Sequence, residues 1–224
     1  RAWAGLLPTN IEVCPIELPG RGSRMRETLY TNIKPLVTDL AEALTLYQDK
    51  PFVFFGHSMG ALIGFEIARI FSNQNRPGPV HLFVSGHTAP QFGCAHDPIY
   101  NLPEPQFIEE LRKLDGTPEA VLNNSELMQL IIPMLRADFE LNETYSYEPG
   151  SPLNCPISVY GGLHDKDVSH EKLEAWREMT SAAFSIQMFA GGHFFLQTEQ
   201  SVVMQTLSHE LKKIVAKLLT TNAK

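Results

Sequence analysis

No stretch of the 224-residue chain is long and apolar enough to span a bilayer, and no segment repeats or falls into low complexity. Cysteine is scarce. Cys14, Cys94 and Cys155 are an odd number without metal-type spacing, which argues against a disulfide framework or a zinc site and suits a reducing cytoplasm. Basic charge is short as well: 18 Lys and Arg against 25 Asp and Glu leave a net charge of −7. That balance argues against nucleic acid as a partner and against adhesion to anionic membranes. The opening Arg1-Ala2-Trp3-Ala4-Gly5 has neither an initiator methionine nor the apolar core of a signal peptide. The expectation is a cytoplasmic chain whose sequence begins inside a longer one.

What is present is a composition 43% hydrophobic, enough for one domain with a sizeable core. Apolar runs at 51–55 and 80–86 read as buried strands, 156–160 and 184–189 read as further strands, and Ile11 to Leu18 reads as a shorter one. Helical spacing follows Asn32 (Leu36, Leu40, Leu44 and Tyr47 on one face), runs from 61 to about Ser72, includes Leu173 and Trp176, and closes the chain through Val203, Leu207, Leu211, Ile214 and Leu218. Strands alternating with helices predict a mainly parallel, doubly wound α/β sheet. Residues 90–150 break that rhythm with helices alone, Phe107, Leu111 and Leu114 marking one face and Leu127, Leu130, Ile131 and Leu135 another. An insertion at that place overhangs the C-terminal ends of the strands, where open α/β sheets bind ligands, and is a lid candidate over about 98–149.

Gly56-His57-Ser58-Met59-Gly60, between an apolar strand and a helix, has the Gly-x-Ser-x-Gly pattern of a nucleophile elbow. Glycines on both sides of Ser58 predict a backbone passing close to itself, and the helix that follows turns its N–H groups toward developing negative charge. A serine hydroxyl needs a base and an acid to orient that base, in the order Ser, acid, His in this fold. Tyr160-Gly161-Gly162-Leu163-His164-Asp165-Lys166-Asp167 supplies the acid after a late strand, with Asp165 the choice and Asp167 the alternative. His193 follows the next strand through Ala190-Gly191-Gly192. His164 and His170 come too early, and His209 falls on the polar side of the last helix. His57 reads as packed or bonded to backbone rather than as a proton carrier. Arg136 and Asp138 read as a surface or intra-lid pair. Arg21, Arg24 and Arg26 form either a solvated face or a contact for an acidic partner or a phosphate.

With those residues in place the chain resembles the type II thioesterases of the α/β-hydrolase superfamily, the editing enzymes of polyketide and nonribosomal peptide synthesis, and relatives that release medium-chain acids from fatty acid synthase. The resemblance is carried by Glu17-Leu18-Pro19-Gly20-Arg21-Gly22, by the elbow, by Gly116-Thr117-Pro118 and by Leu135-Arg136-Ala137-Asp138-Phe139. Tyr160-Gly161-Gly162 with Asp165, Leu173-Glu174-Ala175-Trp176 and Gly191-Gly192-His193-Phe194-Phe195-Leu196 extend it over nearly the whole chain. It implies hydrolysis of an acyl thioester on the phosphopantetheine arm of an acyl or peptidyl carrier protein, by a monomer with no cofactor of its own. Ser58 is then the nucleophile, His193 the general base, Asp165 its orienting acid, and the Met59 backbone N–H an oxyanion donor. The Arg21–Arg26 cluster is a candidate contact for an acidic carrier.

Members of that family carry, ahead of the segment that begins here, a strand ending in a Gly-Gly loop that supplies the second oxyanion donor. The chain is therefore expected to be a single hydrolase domain that is N-terminally incomplete. Little activity and poor solubility are expected of a polypeptide starting at Arg1. Two other readings share the same residues: a general carboxylesterase or lipase, and an idle hydrolase fold used for binding.

Overall fold

The apolar runs form a four-stranded, all-parallel sheet in the computed structural model, which describes residues 2–94 and 97–221; Arg1 lies outside them. β1 (Val53–His57), β2 (His81–Ser85), β3 (Ile157–Gly162) and β4 (Phe184–Phe189) lie side by side in chain order. Alternation along the strands sends side chains to two faces. Phe54, Leu82, Val84, Ile157 and Val159 meet Phe65 of α2 (Met59–Asn73) and Leu173 of α6 (His170–Glu174), with Trp176 just beyond it. On the other face Phe55, Phe83 and Tyr160 meet Phe195 of α7 (Phe195–Thr198) and Val203, Leu207 and Leu211 of α8 (Gln200–Thr221). α1 (Ile33–Ala43), capped by the Asn32 side chain, packs Leu36 and Leu40 on Leu62, Ile67 and Phe71 of α2.

Between β2 and β3 come α3 (Glu104–Leu114), α4 (Glu119–Leu122) and α5 (Ser125–Glu143), which share an apolar cluster of their own around Phe107, Leu111, Leu122, Met128 and Ile132. No helix among the described residues is long and apolar enough to cross a membrane.

Three expectations are corrected. Residues 11–18 are irregular rather than a strand: among the described residues no strand pairs with them, and Pro15 has no N–H to offer one. α1 stops at Ala43 and continues as a 3₁₀ turn, which swings Tyr47 off the apolar face and leaves it 59% exposed. On α5 the buried face runs through Met128, Ile132, Ala137 and Leu141; of the residues expected there Ile131 and Leu135 do pack against the helical cluster, while Leu127 and Leu130 are exposed. Apolar residues occur all round the first two turns of α5, so their spacing alone could not choose the inward side.

Burial also leaves three histidines, His57, His81 and His87, reluctant to ionise. His81 stacks on Phe83 and bonds Ser158 Oγ through Nε2 at 2.9 Å; its pKa and that of His57 are both pushed down to about 4. Between the ordinary value of 6.5 and that level, the unfolded chain takes up protons that the folded chain refuses. Stability therefore falls as pH falls, at up to about 1.4 kcal/mol per pH unit for each ring. Urea midpoints should drop from pH 6.5 to 4.5, and His81→Gln should flatten that drop. Identical slopes in the two proteins would contradict this account.

Candidate active site

The elbow is built by one close backbone crossing. Ser58, between β1 and α2, has φ 52° and ψ −126°, a conformation L residues rarely hold, and its N–H donates to the Ser85 carbonyl at 2.7 Å. A Cβ at Gly56 would lie 2.1 Å from the Gly60 carbonyl oxygen, so only glycine fits there. At Gly60 an added Cβ meets no atom within 4 Å, and the expectation that both glycines serve a close approach holds only for the first. Met59 opens α2, so its N–H has no acceptor within the helix and remains available to an anion.

Two glycine turns bring the acid and the histidine together. A Cβ at Gly162 would lie 2.3 Å from the Gly192 oxygen, and the His164 N–H donates to the Gly191 carbonyl at 2.9 Å. The loops after β3 and β4 thus pack backbone to backbone. Across them His193 Nδ1 lies 2.8 Å from Asp165 Oδ2. The other Asp165 oxygen accepts from the N–H groups of Asp167 and Val168, at 3.1 and 3.2 Å. Burial pushes the Asp165 carboxyl up, but the hydrogen bond from His193 and those two N–H donors outweigh it and hold the pKa below its ordinary value. Asp165 is 1% exposed and His193 27% exposed. Asp167 is an exposed residue at the edge of the cavity, and the exposed His164, His170 and His209 take no part.

Ser58 and His193 line one cavity of about 330 Å³, roofed by Leu111, Leu114, Leu135 and Phe139 of α3 and α5. Among the described residues no group of three His, Cys, Asp or Glu side chains is placed to hold a metal ion.

The thioesterase domain family model matches residues 1–213. The gramicidin S biosynthesis protein GrsT of Aneurinibacillus migulanus is 45% identical over 214 residues, 96% of this chain and 84% of that protein. This chain belongs to the thioesterase domain family. Its fold is that of the α/β-hydrolases: the RedJ thioesterase from the prodiginine biosynthetic pathway of Streptomyces coelicolor superposes with a TM-score of 0.88 at 34% identity, covering 94% of this chain and 84% of RedJ. The human medium-chain S-acyl fatty acid synthase thioesterase is 35% identical over 83% of this chain and 71% of its own length.

Several residues of this thioesterase's site escaped the sequence reading. His87 and Asn142 line the cavity, His87 one position beyond Gly86 at the end of β2; strand ends in open α/β sheets face ligands, and that signal was there to use. Phe194 stands edge-on to the His193 ring at 5.1 Å, and a Cβ at Gly116 would come 2.6 Å from it, so the turn after α3 rests on the neighbour of the histidine. His57 is packed, as expected, 5.1 Å from the His193 ring. Its hydrogen bond, however, runs from Nδ1 to the Ser85 hydroxyl (2.9 Å) rather than to backbone.

Arg136 and Asp138 do not pair with each other. Arg136 donates to the Tyr100 and Leu102 carbonyls and covers the Phe107 ring at 4.3 Å, while Asp138 takes a two-pronged bond from Arg21 at 2.7 and 3.1 Å. Arg24 binds Glu27, so among the described residues the basic cluster presents Arg26 alone as an exposed cation without a carboxylate. Arg21 thereby ties the Pro19–Gly22 turn to α5. Arg21→Met should strand the half-buried Asp138 carboxylate and lower stability by about 1–3 kcal/mol, read as a drop in Tm. An unchanged Tm would show that solvent replaces the pair without cost.

Proposed function

We propose that the protein hydrolyses acyl groups from the phosphopantetheine arm of carrier proteins in nonribosomal peptide, polyketide or fatty acid synthesis. The observation that carries the reading is the His193–Asp165 hydrogen bond, set beside an elbow serine on a roofed cavity in a chain of this family. Ser58 Oγ attacks the thioester carbonyl carbon as His193 Nε2 takes its proton, and Asp165 keeps Nδ1 protonated and steadies the imidazolium. The tetrahedral oxyanion is met by the Met59 N–H at the start of α2. Collapse breaks the C–S bond, and the pantetheine thiolate leaves with the proton held by His193. A water molecule, deprotonated by His193, then releases the acid from the Ser58 ester and restores the hydroxyl.

A thioester is well suited to this mechanism, because the thiolate is a far better leaving group than an alkoxide. The helices α3 to α5 act as a lid over the acyl group, and the names of GrsT and RedJ, from gramicidin S and prodiginine biosynthesis, support the synthase context. The test is mass spectrometry of acyl-loaded carrier proteins with the purified protein, beside matched oxygen esters. Regeneration of the free-thiol carrier together with slower ester turnover is expected. Preferred turnover of oxygen esters would replace the reading with a general esterase.

A further inference from the structure

The roof of the cavity is apolar, yet one polar pair faces it: His87, on the loop after β2, and Asn142, near the end of α5. Both ring nitrogens of His87 are committed. Nδ1 lies 2.7 Å from the Thr88 carbonyl oxygen and Nε2 lies 3.2 Å from the Asn142 side-chain atom placed as Oδ1, a position that the Oδ1 and Nδ2 of an amide exchange by a half-turn. A carbonyl can only accept, so Nδ1 bears the proton and donates. Burial holds the pKa of this imidazole below its ordinary value, so Nε2 keeps its lone pair. The Asn142 amide must then turn its nitrogen toward the ring, the orientation that a neutral histidine imposes.

That choice fixes the other end of the amide. With the amide so turned, its carbonyl oxygen faces away from His87, on a partly buried side chain that lines the cavity and bonds no other side chain or backbone group among the described residues. The pair is also firmly mounted, since Trp176 Nε1 donates to the His87 carbonyl at 2.8 Å. It stands near the chemistry: Gly86, next to His87, is so placed that a Cβ there would lie 3.6 Å from His193 Cε1. An acceptor fixed at such a place is matched by a donor on the acyl group close to its carbonyl, and a plain alkyl chain would leave the acceptor unpaired.

Resting on the reading that the cavity takes the acyl part of a thioester, we propose that Asn142 is a specificity-determining residue. Its carbonyl oxygen accepts a hydrogen bond from acyl groups bearing an O–H or N–H next to the thioester carbonyl, as α-hydroxyacyl and α-aminoacyl groups do. His87 is the positioning residue that aims it. Asp167, whose residue borders the same cavity, would add its own attraction for an ammonium, so a neutral hydroxyl is the cleaner probe.

The experiment compares kcat/KM for the N-acetylcysteamine thioesters of lactate, propionate and 2-methoxypropionate, each corrected for its rate of hydrolysis by hydroxide. Methylation removes the donor while keeping the oxygen and its electron withdrawal. The lactyl thioester should be preferred about tenfold over both others, the worth of one hydrogen bond. In Asn142→Leu the preference should shrink toward one; a merely structural role for Asn142 would slow all three substrates alike and leave the ratios standing. His87→Phe should shrink it in the same direction. The lactyl to 2-methoxypropionyl ratio of the unaltered protein is decisive even if neither variant folds. Three rates within twofold of one another, or a preference that survives Asn142→Leu, would overturn the proposal. Hydrolysis of none of the three would instead overturn the thioesterase mechanism on which it rests.

Discussion

Ser58→Ala should reduce thioester hydrolysis about 10⁴-fold or more, because in the proposed mechanism it deletes the atom that forms the acyl intermediate while leaving its surroundings intact. The substitution is sterically mild. Alanine meets the same backbone demand as serine at φ 52° and ψ −126°, and the bond from the residue's own N–H to the Ser85 carbonyl does not involve the hydroxyl. Stability should stay within about 0.5 kcal/mol of the parent, the range of a change that removes no buried contact. Acyl-loaded carrier should still bind, and labelling by a fluorophosphonate should vanish. His193→Ala should cost a similar factor, and the double variant should be hardly slower than either single one, since base and nucleophile act as a unit. A Ser58→Ala protein retaining a tenth of the parent rate would remove Ser58 from the mechanism. An unaltered protein that neither labels nor turns over would favour a hydrolase fold kept for binding.

Ser58, Asp165 and His193 were readable as candidates because each follows a strand through a short turn, so order along the chain stands in for position in space. The paired strands were readable from their own pattern: the first three are largely apolar runs, as strands covered on both faces are, and β4 alternates apolar residues with the exposed Ser185 and Gln187. Ile11–Leu18 has a similar composition, but a strand exists only when a neighbour takes its hydrogen bonds, and composition carries no word of the neighbour. The His87–Asn142 and Arg21–Asp138 contacts join residues 55 and 117 positions apart. Both depend on how α5 settles over the sheet. The same settling decided which side of α5 faces inward, a choice its apolar first turns left open. What the sequence could not disclose is thus concentrated in one layer, the helices above Ser58, where the pieces meet only after folding.

The elbow itself divides where its motif looks symmetrical. Gly56→Ala would place a methyl group 2.1 Å from the Gly60 oxygen, 2.3 Å from the Gly60 carbonyl carbon and 2.5 Å from the Ala61 nitrogen. All three are backbone atoms at the start of α2, and none can turn aside as the end of a flexible side chain can. Relief requires β1 and α2 to part, which would unpack Phe54 from the helix side of the sheet and carry Ser58 away from His193. The expected loss is about 3 kcal/mol or more, a large share of the stability of an ordinary domain, with activity lost alongside. Gly60→Ala tests the same explanation from the other side. Its Cβ meets nothing within 4 Å and its residue lies in the first turn of a 15-residue helix, so alanine should raise stability by about 0.5–1 kcal/mol and leave the elbow closed. Thermal melts of the two variants therefore move in opposite directions if the crossing of Gly56 over Gly60 holds Ser58 in place. If both variants unfold, or both fold and turn over substrate, the strain at Ser58 is sustained by something other than that crossing.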